Sequence, residues 1–208
     1  MNLKSTVYGV FILESLKHDD YFDGENLFSI FNLSNIPTEY HWIDSKSHLR
    51  ELLRDFRKSK FRYLYLSCHA DEYGIEVNGD DVSNHELQKF TGNLTDIRIF
   101  MSACKGGNDR LAKLMISKSN ILSLIGSPTD LDMDKAAVFW PSFFYVMKEI
   151  DEKKMNRMMI SKTLKKLVDI FNTPINYYSK ISNDKNFMRR LKIRPGKNSD
   201  NIKLKINL

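Results

Sequence analysis

The chain alternates short apolar runs with longer stretches in which apolar residues recur at helical spacing. Five runs rich in apolar or β-branched residues predict strands, at 7–13, 38–43, 61–67, 97–102 and 121–126. The helical stretches lie between or after them, at 25–33, 47–57, 108–117, 134–148 and 155–171. This alternation predicts a mostly parallel sheet with helices on both faces, which is a three-layer α/β sandwich.

Two segments complete the predicted order of elements. "GIEVNGDDVS" contains Asn78 and Gly79, a strong turn signal, and predicts a short surface hairpin. "PINYYSKI" predicts a final strand, and "RPGKNSDNIKLKINL" is interpreted as a loosely held end. We therefore expect a single domain at 1–188 followed by a basic tail at 189–208.

Composition is that of an ordinary globular protein, with 42% apolar and 28% charged residues in a chain of 208. The apolar runs are shorter than a membrane span, and the first residues predict a strand rather than a signal peptide. The two cysteines give neither a disulfide framework nor a zinc-binding spacing. These features favour a cytoplasmic protein with no membrane association and no metal site.

The net charge of +6 is concentrated at the C-terminus. Residues 189–208 carry seven basic side chains and a single acid, so they account for the whole excess and residues 1–188 are neutral overall. A basic end of this kind is more often a solvated terminus or a docking arm than a sequence-specific reader of nucleic acid. A role in nucleic-acid binding would rest on this tail alone.

Two of the predicted strands end in residues suited to nucleophilic catalysis. The third strand is followed by His69 and the fourth by Cys104, and function in such sheets gathers at the carboxyl ends of the strands. If the two strands are neighbours, the residues project from adjacent ends and can form a dyad. A thiolate is the nucleophile in such chemistry, and an imidazolium both favours it and protonates the leaving group.

The sequence around Cys104 favours an exposed thiol. Gly106 and Gly107 permit a sharp turn into the next helix, whose N-terminal field would favour a thiolate, and Lys105 adds positive charge. The backbone N–H groups of Ala70 and Cys104 would be placed to hold an oxyanion. The alternative for Cys104 is a buried cysteine at the end of a core strand.

Cys68 is expected to differ from its neighbour His69. Side chains alternate along a strand, so Cys68 should point to the opposite face and act as a small buried hydrophobe. The loop acids Asp71 and Glu72 either orient His69 or are simply solvated.

Three blocks of this sequence, in order, resemble the caspase-like cysteine peptidases, a clan that includes caspases, metacaspases, separase and bacterial CHAT-domain peptidases. "LYLSCHA" and "IFMSACKGG" resemble the histidine and cysteine blocks, and Ala103 to Gly106 match the Ala-Cys-x-Gly centre of the caspase signature. "IGSPTDLDMDKAAVFWPSFFYVM" resembles the CHAT-type segment after the fifth strand. The resemblance implies a caspase-hemoglobinase-like fold and is closest to the compact bacterial members.

The resemblance also implies roles for individual residues. Cys104 would be the nucleophile, His69 the general acid and base, and the N–H groups of Ala70 and Cys104 the oxyanion hole. Asp130, Asp132 and Asp134 lie in the segment that shapes the first specificity pocket of CHAT-like relatives and would favour Lys or Arg before the cut; their alternative role is to cap the following helix. The chain departs from the pattern at Ala70, where glycine is usual, and at Ser102, where metacaspases carry an acid.

The expected function is therefore hydrolysis of a protein substrate by a cysteine endopeptidase, without an organic cofactor and under the control of a protein activator or regulator. Family analogy suggests a bacterial effector in antiviral defence. The first alternative is a catalytically inactive caspase-like binding or scaffold module. The second is a flavodoxin-like or receiver-like binding protein, which the absence of a phosphate-binding loop disfavours.

Overall fold

The computed structural model describes residues 7–92, 94–119, 121–151, 155–181, 187–197 and 200–205. Ten strands occur in these ranges: β1 Val7–Ser15, β2 Thr38–Trp42, β3 Phe61–Cys68, β4 Gly74–Val77, β5 Asp80–Ser83, β6 Arg98–Ser102, β7 Ser123–Gly126, β8 Ile175–Lys180, β9 Phe187–Ile193 and β10 Asp200–Lys205. Six helices lie among them: α1 Asp23–Leu33, α2 Lys46–Ser59, α3 Asn84–Thr91, α4 Asp109–Lys118, α5 Met133–Ile150 and α6 Arg157–Phe171. The predicted alternation of strands and helices is confirmed.

Eight of the strands form one sheet, in the order β10-β9-β8-β7-β6-β3-β1-β2. The five strands from β7 to β2 in this order run parallel, whereas β8, β9 and β10 are added antiparallel beyond β7. The strands β3 and β6 are therefore neighbours in the middle of the sheet. Their carboxyl ends open at the same edge, which is where the two candidate catalytic residues follow.

The apolar residues of the sheet divide between two helical layers because side chains alternate along each strand. Leu64 and Leu66 of β3 pack in a cluster with α2, α3 and α4, whereas Tyr63 and Tyr65 pack with α1, α5 and α6. The three-layer α/β sandwich predicted from the sequence is thus confirmed. Among the described helices, none combines the length and the apolar character needed to cross a membrane.

The predicted hairpin is also confirmed. It consists of β4 and β5, and Asn78 and Gly79 turn between them with φ angles of 47° and 86°. Two successive positive φ angles define the type I′ turn that matches the twist of paired strands, and Asn-Gly is the pair that adopts it most easily. The hairpin places Ile75 beside Ala70, immediately after β3.

The C-terminal end differs from the expectation. Residues 187–193 and 200–205 are strands of the main sheet, and β10 pairs with β9 over six residues from Asp200 to Lys205. The expected division at residue 189 falls inside β9, and the interpretation of the end as loosely held is wrong for β10. Apolar and polar residues alternate in "IKLKINL", but the charge of the segment obscured this strand pattern.

Candidate active site

The two candidate catalytic residues leave the sheet at the same level. Ser67 of β3 lies opposite Ser102 of β6 in the parallel register, and His69 and Cys104 each follow two residues later. The predicted adjacency of these strand ends is therefore confirmed. Side chains two residues apart in a strand lie on the same face of the sheet. His69 is therefore expected on the face of Ser67, and Cys104 on the face of Ser102.

His69 is oriented by a carboxylate that the sequence analysis did not identify. Its Nε2 lies 2.8 Å from Oδ2 of Asp20, and the side chain of His69 is 40% exposed. The backbone N–H of Lys17 also donates to Oδ2 of Asp20, at 2.8 Å. Partial desolvation raises the pKa of Asp20, but the hydrogen bonds from Lys17 and His69 outweigh it and hold this pKa below its ordinary value.

Asp71 and Glu72, the loop acids predicted as alternatives for orienting His69, make no hydrogen bond or ion pair with it in the described part of the chain. Oδ1 of Asp71 accepts from the N–H groups of Tyr73 and Gly74, at 2.7 and 2.9 Å, and so holds the turn that leads into β4. Glu72 is exposed. Asp20 lies in the loop after β1, 49 positions before His69, so no local spacing pointed to it.

Cys104 lies in a turn that is tied to the loop after β7. The N–H of Lys105 donates to the carbonyl of Thr129 at 2.9 Å, and that of Gly107 donates to Ser127 at 2.7 Å. The N–H of Leu131 points at the side chain of Cys104 itself, with its nitrogen 3.4 Å from Sγ. An N–H donor at this position stabilises a thiolate more than a thiol, since the charged acceptor makes the stronger hydrogen bond.

Two details of this turn correct the expectations. The positive φ of 53° belongs to Lys105 rather than to a glycine. The glycines serve close packing instead: a Cβ on Gly107 would lie 2.1 Å from the carbonyl oxygen of Gly126. Helix α4 begins only at Asp109, so Cys104 lies outside the first turn, where the helix field is strongest. The N–H of Leu131 is the donor that the structure offers in its place.

Cys68 is buried on the opposite face, as predicted. It is 4% exposed and packs in the same layer as Leu64 and Leu66. Burial raises the pKa of the Cys68 thiol to about 12, with smaller contributions from the nearby carboxylates Asp23 and Glu14. This thiol is therefore protonated near neutrality, whereas Cys104 is half-buried beside a donor.

The two N–H groups predicted to hold an oxyanion are both available. Ala70 forms an isolated bridge with Ile75, and the flanking hydrogen bonds run from Asp71 to Gly74 and from Glu76 to His69. This pattern leaves the N–H of Ala70 without a hydrogen-bond partner in the described part of the chain. The same holds for the N–H of Cys104 within those ranges. Their predicted role remains a prediction.

A buried carboxylate joins β3 and β6, the two strands that precede His69 and Cys104. Asp23, 2% exposed at the start of α1, accepts hydrogen bonds from Tyr65 at 2.5 Å, from Ser102 at 2.6 Å and from Ser67. Burial raises its pKa above the ordinary value, although the three hydroxyl donors oppose the shift. The serines at two residues before His69 and Cys104 were visible in the sequence, but nothing there indicated a shared acid.

A second buried acid lies next to Asp23. Glu14 accepts from the N–H groups of Gly24 at 2.7 Å and Glu25 at 3.1 Å, and from the hydroxyl of Tyr40 at 2.9 Å. Burial raises the pKa of Glu14 to about 7. Neither Glu14 nor Asp23 forms an ion pair with any cation in the described ranges.

The three acids predicted to shape a specificity pocket lie on the surface after β7. Asp132 is the N-cap position of α5 and pairs with Lys135, while Asp134 accepts from the N–H of Lys135 at 2.8 Å. Asp130 lies 4.0 Å from Nζ of Lys105. The side chain of Asp132 makes no capping hydrogen bond to α5, so these contacts fit surface ion pairing, and a role in substrate binding remains a prediction.

Two cavities open on either side of His69. One, of about 410 Å³, lies toward the β4–β5 hairpin and includes Ala70 and Glu76. The other, of about 480 Å³, lies toward the loop after β1 and includes Lys17 and Trp42. Cys104 lines neither of them. No cluster of three or more His, Cys, Asp or Glu side chains suited to a metal ion occurs among the described residues.

Comparisons with known proteins give a match at the level of structure. No family model and no curated sequence matches the chain. Among solved structures, it is similar to the Arg specific cysteine proteinase gingipain R, with a TM-score of 0.52 and 7% identity. The match covers the whole of this chain and 69% of the gingipain chain. At this identity the likeness concerns the fold alone: the chain has the caspase-hemoglobinase-like fold, a mostly parallel sheet between two helical layers.

Proposed function

We propose that this chain is a cysteine endopeptidase of the caspase-like clan that acts through His69 and Cys104. The observation that supports this most is the pairing of Ser67 with Ser102, because it brings a histidine and a cysteine to equivalent positions beyond neighbouring parallel strands. The carboxylate of Asp20 beside His69 and the N–H of Leu131 beside Cys104 are partners of the kind that support acyl transfer to a thiol. A fold shared with a cysteine proteinase agrees with this chemistry.

In the proposed reaction, the Cys104 thiol passes its proton to His69 and the thiolate attacks the substrate carbonyl carbon. The carbonyl oxygen becomes an oxyanion, which accepts hydrogen bonds from the N–H groups of Ala70 and Cys104. Collapse of this intermediate breaks the C–N bond, and His69 returns the proton to the leaving amine. His69 then takes a proton from water, whose attack on the thioester releases the acid product and the thiol.

We infer that the substrate carries a basic residue before the cut, and that Asp23 is the acid that recognises it. Burying a carboxylate without a cation is costly, and the donors to Asp23 in the described structure are three hydroxyls and a backbone N–H, none of them charged. A guanidinium or ammonium from the substrate would supply the missing charge. At 2% exposure the carboxylate must be uncovered first, so substrate binding has to displace side chains above it. The stated Arg specificity of the structural neighbour agrees with this choice.

The wider setting is also a proposal. The absence of a disulfide framework agrees with a cytoplasmic site of action. A peptidase of this kind requires control, and we propose a protein activator or regulator. The bacterial defence role and the CHAT-type affiliation rest on the resemblance of the three sequence blocks.

The peptidase activity is tested with a fluorogenic peptide library and with iodoacetamide labelling followed by mass spectrometry. We expect hydrolysis by the unmodified chain, none by Cys104→Ala, and labelling of Cys104 but not Cys68 at neutral pH. Folded protein with no hydrolysis and no labelling at Cys104 would favour the alternative of an inactive binding module. Labelling without hydrolysis would place the missing component in an activator.

The specificity of the site is tested by profiling the residue before the cut. We expect Arg or Lys in the unmodified chain and loss of that preference in Asp23→Asn, which keeps the shape of the side chain. The matched control is the double variant Asp130→Asn/Asp132→Asn, which removes surface acids instead. A preference for acidic or small apolar residues would reject the proposal. Loss of the basic preference only in the control variant would show that Asp130 and Asp132, rather than Asp23, recognise the basic residue.

A further inference from the structure

The amino end of the sheet, opposite the candidate active site, carries a group of arginines. Arg62 is near the start of β3, Arg98 begins β6, Arg157 begins α6 and Arg189 lies in β9. None of these four side chains forms an ion pair with the part of the chain that the structure describes. Uncompensated guanidinium groups gathered at one place favour an anionic ligand.

A cavity of about 330 Å³ lies between α6 and the β8–β9 pair at this end. Its polar lining consists of two arginines and three hydroxyl groups, from Arg157, Arg189, Ser161, Tyr177 and Ser179. Arg157 also lines an adjacent cavity of about 250 Å³, where Arg62 and Arg98 lie with the acid Asp96. The volume of the first cavity is that of a small-molecule site.

The lining is held in place by the fold. Arg157 donates to the carbonyl oxygen of Lys180, and this hydrogen bond holds its guanidinium at the end of β8. Ser179 and Arg189 are directly paired between β8 and β9, and Ser161 follows Arg157 by one helical turn. Helix α6 begins at this cavity, and the side chain of its N-cap residue Asn156 accepts from the N–H of Met159, which leaves the N–H groups of Arg157 and Met158 without an intrahelical partner.

Buried polar groups are gathered at this place, and one of them is unpaired. The hydroxyl of Tyr177, which is 2% exposed and lines the first cavity, lies within hydrogen-bond reach of Arg157 and Ser179. In the adjacent cavity, Nε of Arg62 is buried and makes no hydrogen bond to the described residues. Buried polar groups in native proteins are nearly always paired, so this unpaired donor in a cationic setting points to an acceptor supplied by a ligand.

We propose that the cavity between α6 and the β8–β9 pair binds a small ligand through its phosphate groups. Phosphate matches the planar fork of arginine, and the hydroxyls of Ser161, Ser179 and Tyr177 supply further donors. The cavity is open on one side, where Arg189 is exposed, and its volume is that of a small phosphorylated molecule, whereas a nucleic-acid strand needs a longer track. The site is distinct from the His69–Cys104 site and does not depend on the peptidase proposal.

The probe is inorganic pyrophosphate, titrated into the full chain by calorimetry at low ionic strength, with sulfate as a competitor. We expect saturable binding at one site, and a rise in melting temperature that grows with pyrophosphate concentration. Arg189→Ala and Arg157→Ala should each weaken binding about tenfold or more. The matched control, Arg54→Ala, removes an equal charge from the exposed face of α2 and should leave the affinity unchanged.

Arg157→Ala also removes the hydrogen bond to Lys180, so its melting temperature is compared without ligand. Arg189 is exposed, and its variant decides the test if Arg157→Ala unfolds. Equal weakening by Arg54→Ala would show non-specific charge attraction and overturn the proposal. Absence of binding would do the same, as would tighter binding of a single-stranded oligonucleotide that displaces pyrophosphate.

Discussion

Oδ2 of Asp20 and Nε2 of His69 lie 2.8 Å apart, although the two residues are 49 positions apart in the chain. Since this contact occupies Nε2, Nδ1 is the nitrogen of His69 that would exchange a proton in the proposed reaction. In that reaction, a carboxylate in this place would select one tautomer of the imidazole and stabilise the imidazolium when it forms. Asp20 is thus a positioning residue of the proposed peptidase.

We expect Asp20→Asn to lower kcat roughly 10²-fold with little change in KM, because the asparagine cannot stabilise the imidazolium. The measurement is steady-state hydrolysis over a range of pH. Asp19→Asn is the matched control, since Asp19 is the exposed neighbour in the same loop. Equal kinetics in the Asp20 variant and the wild type would show that the contact has no part in the reaction.

The two cysteines should respond differently to substitution. Cys104→Ala should abolish hydrolysis, because no other described group at the site forms the thioester. Cys68→Ala should retain most activity and lower the free energy of unfolding by about 1 kcal/mol through a small cavity. Urea unfolding and peptide hydrolysis measure the two effects. A folded but inactive Cys68→Ala would contradict the assignment of the two faces of β3.

The stability of the fold should fall as the pH rises through the window from about 4.5 to about 7. Burial raises the pKa of Glu14 from the ordinary 4.5 to about 7 in the folded state, so the folded state holds the extra proton in this interval. One such group changes the free energy of unfolding by at most about 1.4 kcal/mol per pH unit. Glu14→Gln should flatten this dependence, whereas Glu51→Gln on the exposed side of α2 should not. An unchanged slope in Glu14→Gln would assign the effect to another group.

Deleting residues 196–208 should destabilise the domain, contrary to the expectation from charge alone. The deletion removes β10, which covers the edge of β9 over six residue pairs, and Leu204, which packs against the core. A loss of about 2 kcal/mol would lower the melting temperature by roughly 4–8 °C. Deleting 206–208 leaves β10 and is the control. A melting temperature unchanged by the longer deletion would show that β10 contributes little.

The adjacency of the two strand ends at the candidate site could be predicted because parallel strands present their carboxyl ends at one edge. That rule brought His69 and Cys104 together from two apolar runs, and alternation along β3 separated Cys68 from them. Asp20 and Asp23 could not be predicted, since each reaches the site through tertiary packing of the loop after β1 and the start of α1. No spacing along the chain records such a contact.

The C-terminal strands were missed for a different physical reason. Lysines alternate with apolar residues in β10, so the segment has both a high charge and a strand period. An edge strand tolerates such charge because one of its sides faces water, and lysine there also discourages pairing with other chains. The alternation of apolar residues and lysines in β10, rather than its net charge, is the property that indicates a strand.

The hydrogen bond from the N–H of Leu131 to Sγ of Cys104 makes one backbone amide sensitive to the chemical state of the proposed nucleophile. Its proton resonance depends on whether the sulfur carries a charge, a proton or a covalent adduct. Titration, alkylation and acylation of Cys104 can therefore be followed at a single NMR signal without a substrate in hand. Because the same loop begins α5, an effector that moves this helix would register at that signal before any change in turnover was measured.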